Sequence, residues 1–222
     1  MRKILIDDGS FPYLTEGADL VGAPGIPAML DLKNTQIPRG LIPFEKIKKK
    51  GISKRQYVHF YMHDKFFLRV LTATKRYVNL LKEFDGVISP DCTLLVNQAP
   101  CIQQTNTYFN RAVGFFLQRQ GIPVIPNIRW SDDRSYDYCF LGVPKNSIVS
   151  VSTHGCIDTA EMKELFRKGL KKMLEVLEPT DVLVHGRMPN VIFDEYKGMC
   201  RFHHYRSWLE QVHSKAGDND GN

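Results

Sequence analysis

Ser147-Ile148-Val149-Ser150-Val151-Ser152-Thr153-His154-Gly155, and then Asp181-Val182-Leu183-Val184-His185-Gly186-Arg187, decide the fold together with the segment between them. Both runs are short, apolar and rich in β-branched residues, and each closes on polar residues, so each reads as a strand. Between them Leu165, Phe166, Gly169, Leu170, Met173, Leu174 and Leu177 recur as one helical stripe. Asp158 stands three residues before Glu161 in a capping-box-like start, and Pro179 ends the pattern. Strand, helix and strand in succession form a βα unit.

The same rhythm runs backwards along the chain. Tyr57-Val58-His59-Phe60-Tyr61 and Gly86-Val87-Ile88-Ser89 read as strands. A helix is predicted from about Asn106 to Gln120, stopped by Gly121. Ile122-Pro123-Val124-Ile125-Pro126 is flanked by prolines and predicts an irregular strand. Strand starts near 57, 86, 122, 147 and 181 suit short buried strands in a mostly parallel sheet. The expected fold is α/β: repeated βα units in a compact, incomplete TIM-barrel-like barrel, with an open doubly wound sheet as the alternative.

Residues 1–214 are expected to form one domain and 215–222 a flexible tail, frayed from Gly217. The proline- and glycine-rich first 43 residues predict loops with short strands such as Lys3–Ile6. A terminal helix is expected around Cys200 to Val212, with His203 and His204 pointing apart on it.

With 43% hydrophobic and 24% charged residues, the 222-residue chain has the composition of a globular protein. No apolar run approaches a membrane span, and Asp7 and Asp8 come too early for a signal peptide. Five cysteines without a CxxC pair fit a reducing compartment, so a cytoplasmic location and no membrane partner are expected. Phosphate-loop, dinucleotide-binding, HExxH and GxSxG motifs are absent from the sequence. The net charge of +6 is concentrated in Lys46, Lys48, Lys49, Lys50, Lys54 and Arg55. This segment reads as a solvated face or as a nucleic-acid contact.

Function in α/β folds gathers at the carboxyl ends of the strands. Those ends carry His63 and Asp64, Asp91, Asn127 with Arg129 and Trp130, His154, and His185 with Arg187. Asp64, Asp91, His154 and His185 are the candidate catalytic groups, because their charge states are tunable near neutral pH. Asn127, Arg129, Trp130 and Arg187 are the candidate substrate contacts, the arginines as planar forks for phosphate or carboxylate. A divalent metal held by the carboxylates is an alternative use of the same groups. His59 and His63, about 13 Å apart along an extended strand, are too distant to share an ion unless the strand bends. Cys92 and Cys156 lie near the rim and read as buried filler.

Ile37-Pro38-Arg39-Gly40-Leu41-Ile42-Pro43-Phe44, Val58-His59-Phe60-Tyr61, Ile88-Ser89-Pro90-Asp91 and Gln120 to Trp130 recur in linked order with Phe140 to Pro144, Ser150 to Gly155 and Pro179 to Gly186. This series resembles the domain-of-unknown-function family 4417, found in phages, plasmids and conjugative elements, over roughly residues 35–190. The resemblance implies a mobile-element context and names no reaction. It also implies acidic residues after the histidine strand, where this chain has Met62-His63-Asp64. The expected function is an enzyme, or enzyme-derived fold, acting on a phosphorylated or nucleic-acid-linked substrate at the strand-end rim. The alternative is a non-catalytic nucleic-acid- or protein-binding accessory using residues 46–55. Oligomeric state and cofactor are left open.

Overall fold

The structure, a computed structural model, describes residues 11–31 and 35–207. The expected strand Lys3–Ile6 and the tail lie outside the described residues. An antiparallel ribbon, β1 (Leu20–Val21) and β2 (Ile26–Pro27), precedes two parallel sheets. The first contains β3 (Leu41–Pro43), β4 (Tyr57–His59), β5 (Gly86–Ile88) and β6 (Val124–Ile125), and the second β7 (Ile148–Ser152), β8 (Asp181–His185) and β9 (Arg201–Tyr205). Five helices, α1 (Leu68–Thr72), α2 (Val78–Leu81), α3 (Pro100–Arg119), α4 (Ala160–Leu177) and α5 (Asn190–Phe193), occupy the connections among the described residues.

Every parallel strand pairs with its neighbour in sequence. A single parallel bridge between Asn127 and Ser150 joins the two sheets: Ser150 N donates to Pro126 O and Ile128 N to Ser150 O, both at 2.8 Å. Among the described residues no ladder returns from β9 to β3, so no closed barrel is found. The molecule is thus a mixed α/β protein with parallel sheets.

Alternation along each strand sorts side chains to two faces. Val58, Phe60, Val87 and Val124 pack against Ala112, Val113 and Leu117 of α3. Val149, Val151, Val182 and Val184 pack against Phe166, Leu170 and Leu174 of α4. On the other face Tyr57, Tyr61, Ile88, Ile125 and Leu183 form a third cluster, with Leu41, Ile148 and Tyr205 against it. Both faces are buried, as parallel strands require. Each fully buried leucine of α4 contributes roughly 1.5–3 kcal/mol.

Three local expectations are corrected. The helix expected from Asn106 begins at Pro100, which fits the first helical turn because that turn leaves an amide without a partner anyway. Its early turns present buried polar residues, Gln103 and Thr107, so an apolar count cannot detect them. Helix α4 is capped by Thr159, whose Oγ1 accepts from Met162 N at 3.1 Å, leaving Asp158 free for another partner. Residues 201–205 of the expected terminal helix form strand β9 instead, in five-residue register with β8. The cause is tertiary: buried Asp181 accepts two hydrogen bonds from Arg201, at 2.8 and 2.9 Å, and pairs with His203 Nε2 at 2.8 Å. Hydrogen bonding to Arg201 and His203 holds the Asp181 carboxyl far below its usual range despite its burial.

Candidate functional site

Strand β5 ends at Ile88, and Ser89-Pro90-Asp91 carries the chain over the carboxyl edge of the sheet. Asp91 is only 9% exposed. Its Oδ1 accepts from Asn127 Nδ2 at 2.8 Å, and its Oδ2 meets Arg129 Nη1 in one long contact of 3.4 Å. Burial pushes the Asp91 carboxyl up from its ordinary range, and Arg129 and Asn127 offset that only in part. Burial also opposes the charge on Arg129, but Asp91, Cys156, Asp64 and Tyr61 outweigh it and hold the guanidinium charged.

Asn127 fixes this geometry. Its backbone N donates to Ser89 Oγ at 2.8 Å, and its Oδ1 accepts from the Tyr61 hydroxyl at 3.1 Å. The Tyr61 hydroxyl also meets Ser150 Oγ at 2.5 Å. The Asn127 carbonyl accepts from Asn110 Nδ2 at 3.1 Å and from Arg111 Nη1 at 3.0 Å. With a hydroxyl donor on its oxygen and a carboxylate on its nitrogen, the amide has one satisfied orientation. This network ties β5, β6 and α3 behind the Asp91 carboxylate, so that group is held on rigid elements.

A second polar group lies on the same inner face. The His185 ring stacks on Tyr61, with centroids 4.5 Å apart, and approaches His59 at 4.7 Å. His59 Nδ1 accepts from Tyr61 N at 3.2 Å, which places a neutral ring's proton on Nε2. His185 Nδ1 faces Ser152 Oγ at 3.2 Å. Burial, then the neighbouring His185 and Lys46, push the His59 imidazole well below its ordinary value. A base with a depressed folded pKa gives stability that is present above the unfolded value, near 6.5, and lost as pH falls. Wild type is therefore expected to lose up to about 1.4 kcal/mol per pH unit below pH 6.5 that a His59→Gln variant does not lose. Thermal unfolding of both proteins between pH 7.5 and 5.5 checks this; curves that fall in parallel would show that His59 is not held neutral.

The remaining sequence candidates are placed unequally. Asp64 accepts from Thr93 N at 3.1 Å and Thr93 Oγ1 at 2.6 Å, so it laces together the loops after β4 and β5 while acting on Asp91 through its charge. His154 is exposed, with its charge also acting on Asp91. His63 is exposed while His59 is buried, so the two face different surroundings. Trp130 is 8% exposed and packs on Phe140, Phe166 and Gly169, where an added Cβ would stand 2.1 Å from the indole nitrogen. Gly186 adopts φ 92° and turns Arg187 outward, where it pairs with Asp158 at 2.5 Å on the surface. Cys92 is buried, and burial pushes its thiol up.

The basic segment runs from the carboxyl end of β3 to the amino end of β4, and Lys54 Nζ reaches back to the carbonyl of Ile47, between Lys46 and Lys48 in sequence, at 3.5 Å. Lys46 acts on His59 at one end. Lys54 pairs with Glu83 at 2.9 Å near the other, and Arg55 lies beyond it. Lys48, Lys49 and Lys50 form the exposed run between them. Among the described residues no group of three or more His, Cys, Asp or Glu side chains is arranged to hold a metal ion. Asp64 and Asp91 therefore do not converge with a third such side chain among the described residues.

Beside Arg129 opens a cleft of about 140 Å³, walled by Leu94, Val96, Trp130, Met162, Leu165 and Phe166. A larger depression of about 770 Å³, with Arg39, Arg55, Tyr57 and Asp85 on its wall, lies at the amino ends of the strands. Arg129 and Ser152 of the buried polar network line the smaller cleft, and none of that network lines the larger depression. His59, weighed from the sequence only as an ion partner of His63, belongs to this network, as do Tyr61, Ser89, Asn110, Arg111, Ser150 and Ser152, which the sequence did not mark. The period-two alternation of Tyr57, His59 and Tyr61 is the signal that could have found two of them.

The family model described as a domain of unknown function, DUF4417, matches residues 18–205, a wider span than the sequence motifs. The Gene 1 protein of Mycobacterium phage L5 is 30% identical over 131 residues, 59% of this chain and 57% of that protein. The Gene 1 protein of Mycobacterium phage D29 is 29% identical over 131 residues, 59% of this chain and 48% of that protein. The aligned region thus spans about half the length of these curated relatives. No solved structure matches. No helix among the described residues is long and apolar enough to cross a membrane.

Proposed function

Because this chain belongs to the DUF4417 family of unknown function, a reaction has to be read from the site itself, and we propose that it is an enzyme with Asp91 as general acid–base and Arg129 as anion grip. The substrate class is a phosphorylated molecule, free or linked to nucleic acid. The observation that carries this reading is the Asp91 carboxylate, buried, braced by Asn127 at 2.8 Å and only loosely matched by Arg129 at 3.4 Å. A pair built for stability would be closer and bidentate. The loose pair leaves guanidinium donors for a ligand and a carboxyl with a raised proton affinity beside it. Asp64 and His154 adjust that carboxyl through their charges, and the buried His59 and His185 rings lie together deeper on the same face.

The architecture in this proposal is an open barrel. Seven parallel strands in sequential order, an inner cluster drawn from both sheets, and a Tyr205 hydroxyl donating to Pro38 O at 2.6 Å support it. In such a barrel the inner rim is where substrates bind. The accessory reading through the basic segment has less support, since Lys54 is already paired with Glu83 at 2.9 Å and Lys46 is half-buried.

The test is thermal unfolding with a panel of phosphate monoesters and nucleoside phosphates. At a hundredfold excess over Kd a ligand of the folded state adds about 2.7 kcal/mol, or roughly 5–11 °C for a chain of this size. Wild type is expected to shift with at least one member, and Arg129→Ala with none. A shift that survives Arg129→Ala, or none anywhere in the panel, overturns the assignment.

A further inference from the structure

We infer that the cleft beside Arg129 binds the apolar part of the substrate, so that the ligand is a small amphiphilic anion: one acidic group joined to a single ring or a short branched chain. This rests on Arg129 as the anion grip and specifies what lies at the other end of the molecule.

The walls carry the argument. The loop after β5 supplies Leu94, Leu95 and Val96, and α4 supplies Met162, Leu165 and Phe166, with Ile128 and Trp130 between them. Leu95 is 57% exposed and Val96 38% exposed. Apolar side chains at a loop tip could turn away from water if the loop were slack, but this loop is fastened along its length. Asn106 Nδ2 donates to Thr93 O at 2.5 Å, Gln103 Nε2 to Leu95 O at 2.9 Å, and the Arg134 guanidinium holds Val96 O. A fastened loop that keeps aliphatic groups at the mouth of a concave site offers them to a ligand.

The polar groups of the cleft narrow the class. The Ser131 hydroxyl is already donated to Gln103 Oε1 at 2.7 Å, and the Trp130 indole nitrogen is turned toward Gly169. The Cys156 thiol points to His154 O at 3.4 Å. A nucleobase has several donors and acceptors along its edge, and burying them without partners would cost free energy for each. The apolar walls do not supply such partners. Arg129 is the one cation among the lining residues. The volume of about 140 Å³ is below that of sites for drug-sized ligands, roughly 300–1,000 Å³. One ring or a branched chain suits this space, and a whole nucleoside does not.

Calorimetric titration of the full chain with inorganic phosphate, phenyl phosphate and phenylacetate tests the inference. Phenyl phosphate is expected to bind at least tenfold more tightly than inorganic phosphate, and phenylacetate reports whether a carboxylate serves as well as a phosphate. In Leu165→Gln, at a half-exposed wall position, the advantage of the ring is expected to fall toward onefold while inorganic phosphate binds as before. Equal affinity of wild type for phosphate and phenyl phosphate would overturn the apolar subsite and leave the anion grip standing. Absence of binding by all three anions would overturn the grip, and the inference with it.

Discussion

Replacing Arg111 with methionine is expected to destabilise the protein by at least about 3 kcal/mol, and replacing it with lysine is expected to bring no rescue. Arg111 is 1% exposed and has no carboxylate partner among its hydrogen bonds. Its Nε donates to Leu141 O at 3.0 Å and its Nη2 to Cys139 O at 2.7 Å, while its Nη1 donates to Asn110 Oδ1 at 2.5 Å and Asn127 O at 3.0 Å. Two effects oppose one another. Burial disfavours the charge, pushing the guanidinium down to about 10, and removing the cation relieves that cost. Against this stand four charge-assisted hydrogen bonds worth roughly 1.5–3 kcal/mol each, and carbonyls left without that donor at roughly 1–3 kcal/mol each. The second effect is larger. At about 2–4 °C per kcal/mol the melting temperature should fall by roughly 6–12 °C. Lysine keeps the charge but cannot reach acceptors that lie in several directions. Urea unfolding of both variants decides the matter, and wild-type stability in Arg111→Lys would show that the planar fork is not needed.

Arg111 also shows how far the sequence could be read. An arginine within an apolar helical stripe looks like a misplaced surface residue until the loops around Cys139 and Leu141 are known to turn their carbonyls toward it. Strands near 57, 86, 122, 147 and 181 were legible because β-branched runs between polar ends depend on local composition. Strand β9 was not. Arg201, His203 and His204 have no apolar periodicity, and their extended form comes from Asp181 twenty residues earlier. Rim residues could be found by position, as the polar groups after each strand, but position does not say which way each points. Asn127 and Arg129 share a parity that brings both to Asp91. Arg187 shares parity with His185 and would face inward if the strand continued, but the turn at Gly186 sends it to Asp158 instead. Pairing register and one positive φ separate these cases, and neither is written in composition.

The Asp91→Asn variant is expected to lose turnover by about 10²–10⁴-fold, the usual contribution of a positioned acid–base, and to be at least as stable as wild type at pH 7. Turnover is measured on a substrate drawn from the ligands that Arg129 retains. The stability half follows from the pKa. Burial raises the Asp91 carboxyl above its ordinary value, so the stability linked to its protonated form is complete below the unfolded pKa of about 3.9 and lost as pH rises through the folded value. At neutral pH the ionised carboxylate is a net cost, because Arg129 and Asn127 offset its desolvation only in part. Asparagine matches the shape without that cost. Arg129 is not stranded by the change, since its side chain is 21% exposed and reaches the cleft. The stability difference, variant minus wild type, should therefore increase from acid to neutral pH and then level off. A structural ion pair predicts the reverse: the variant would be weaker at pH 7 and would approach wild type only as acid protonates Asp91. Unfolding curves from pH 4 to 8 separate the two, and a less stable variant at pH 7 would make Asp91 a structural partner of Arg129 rather than the acid–base of the site.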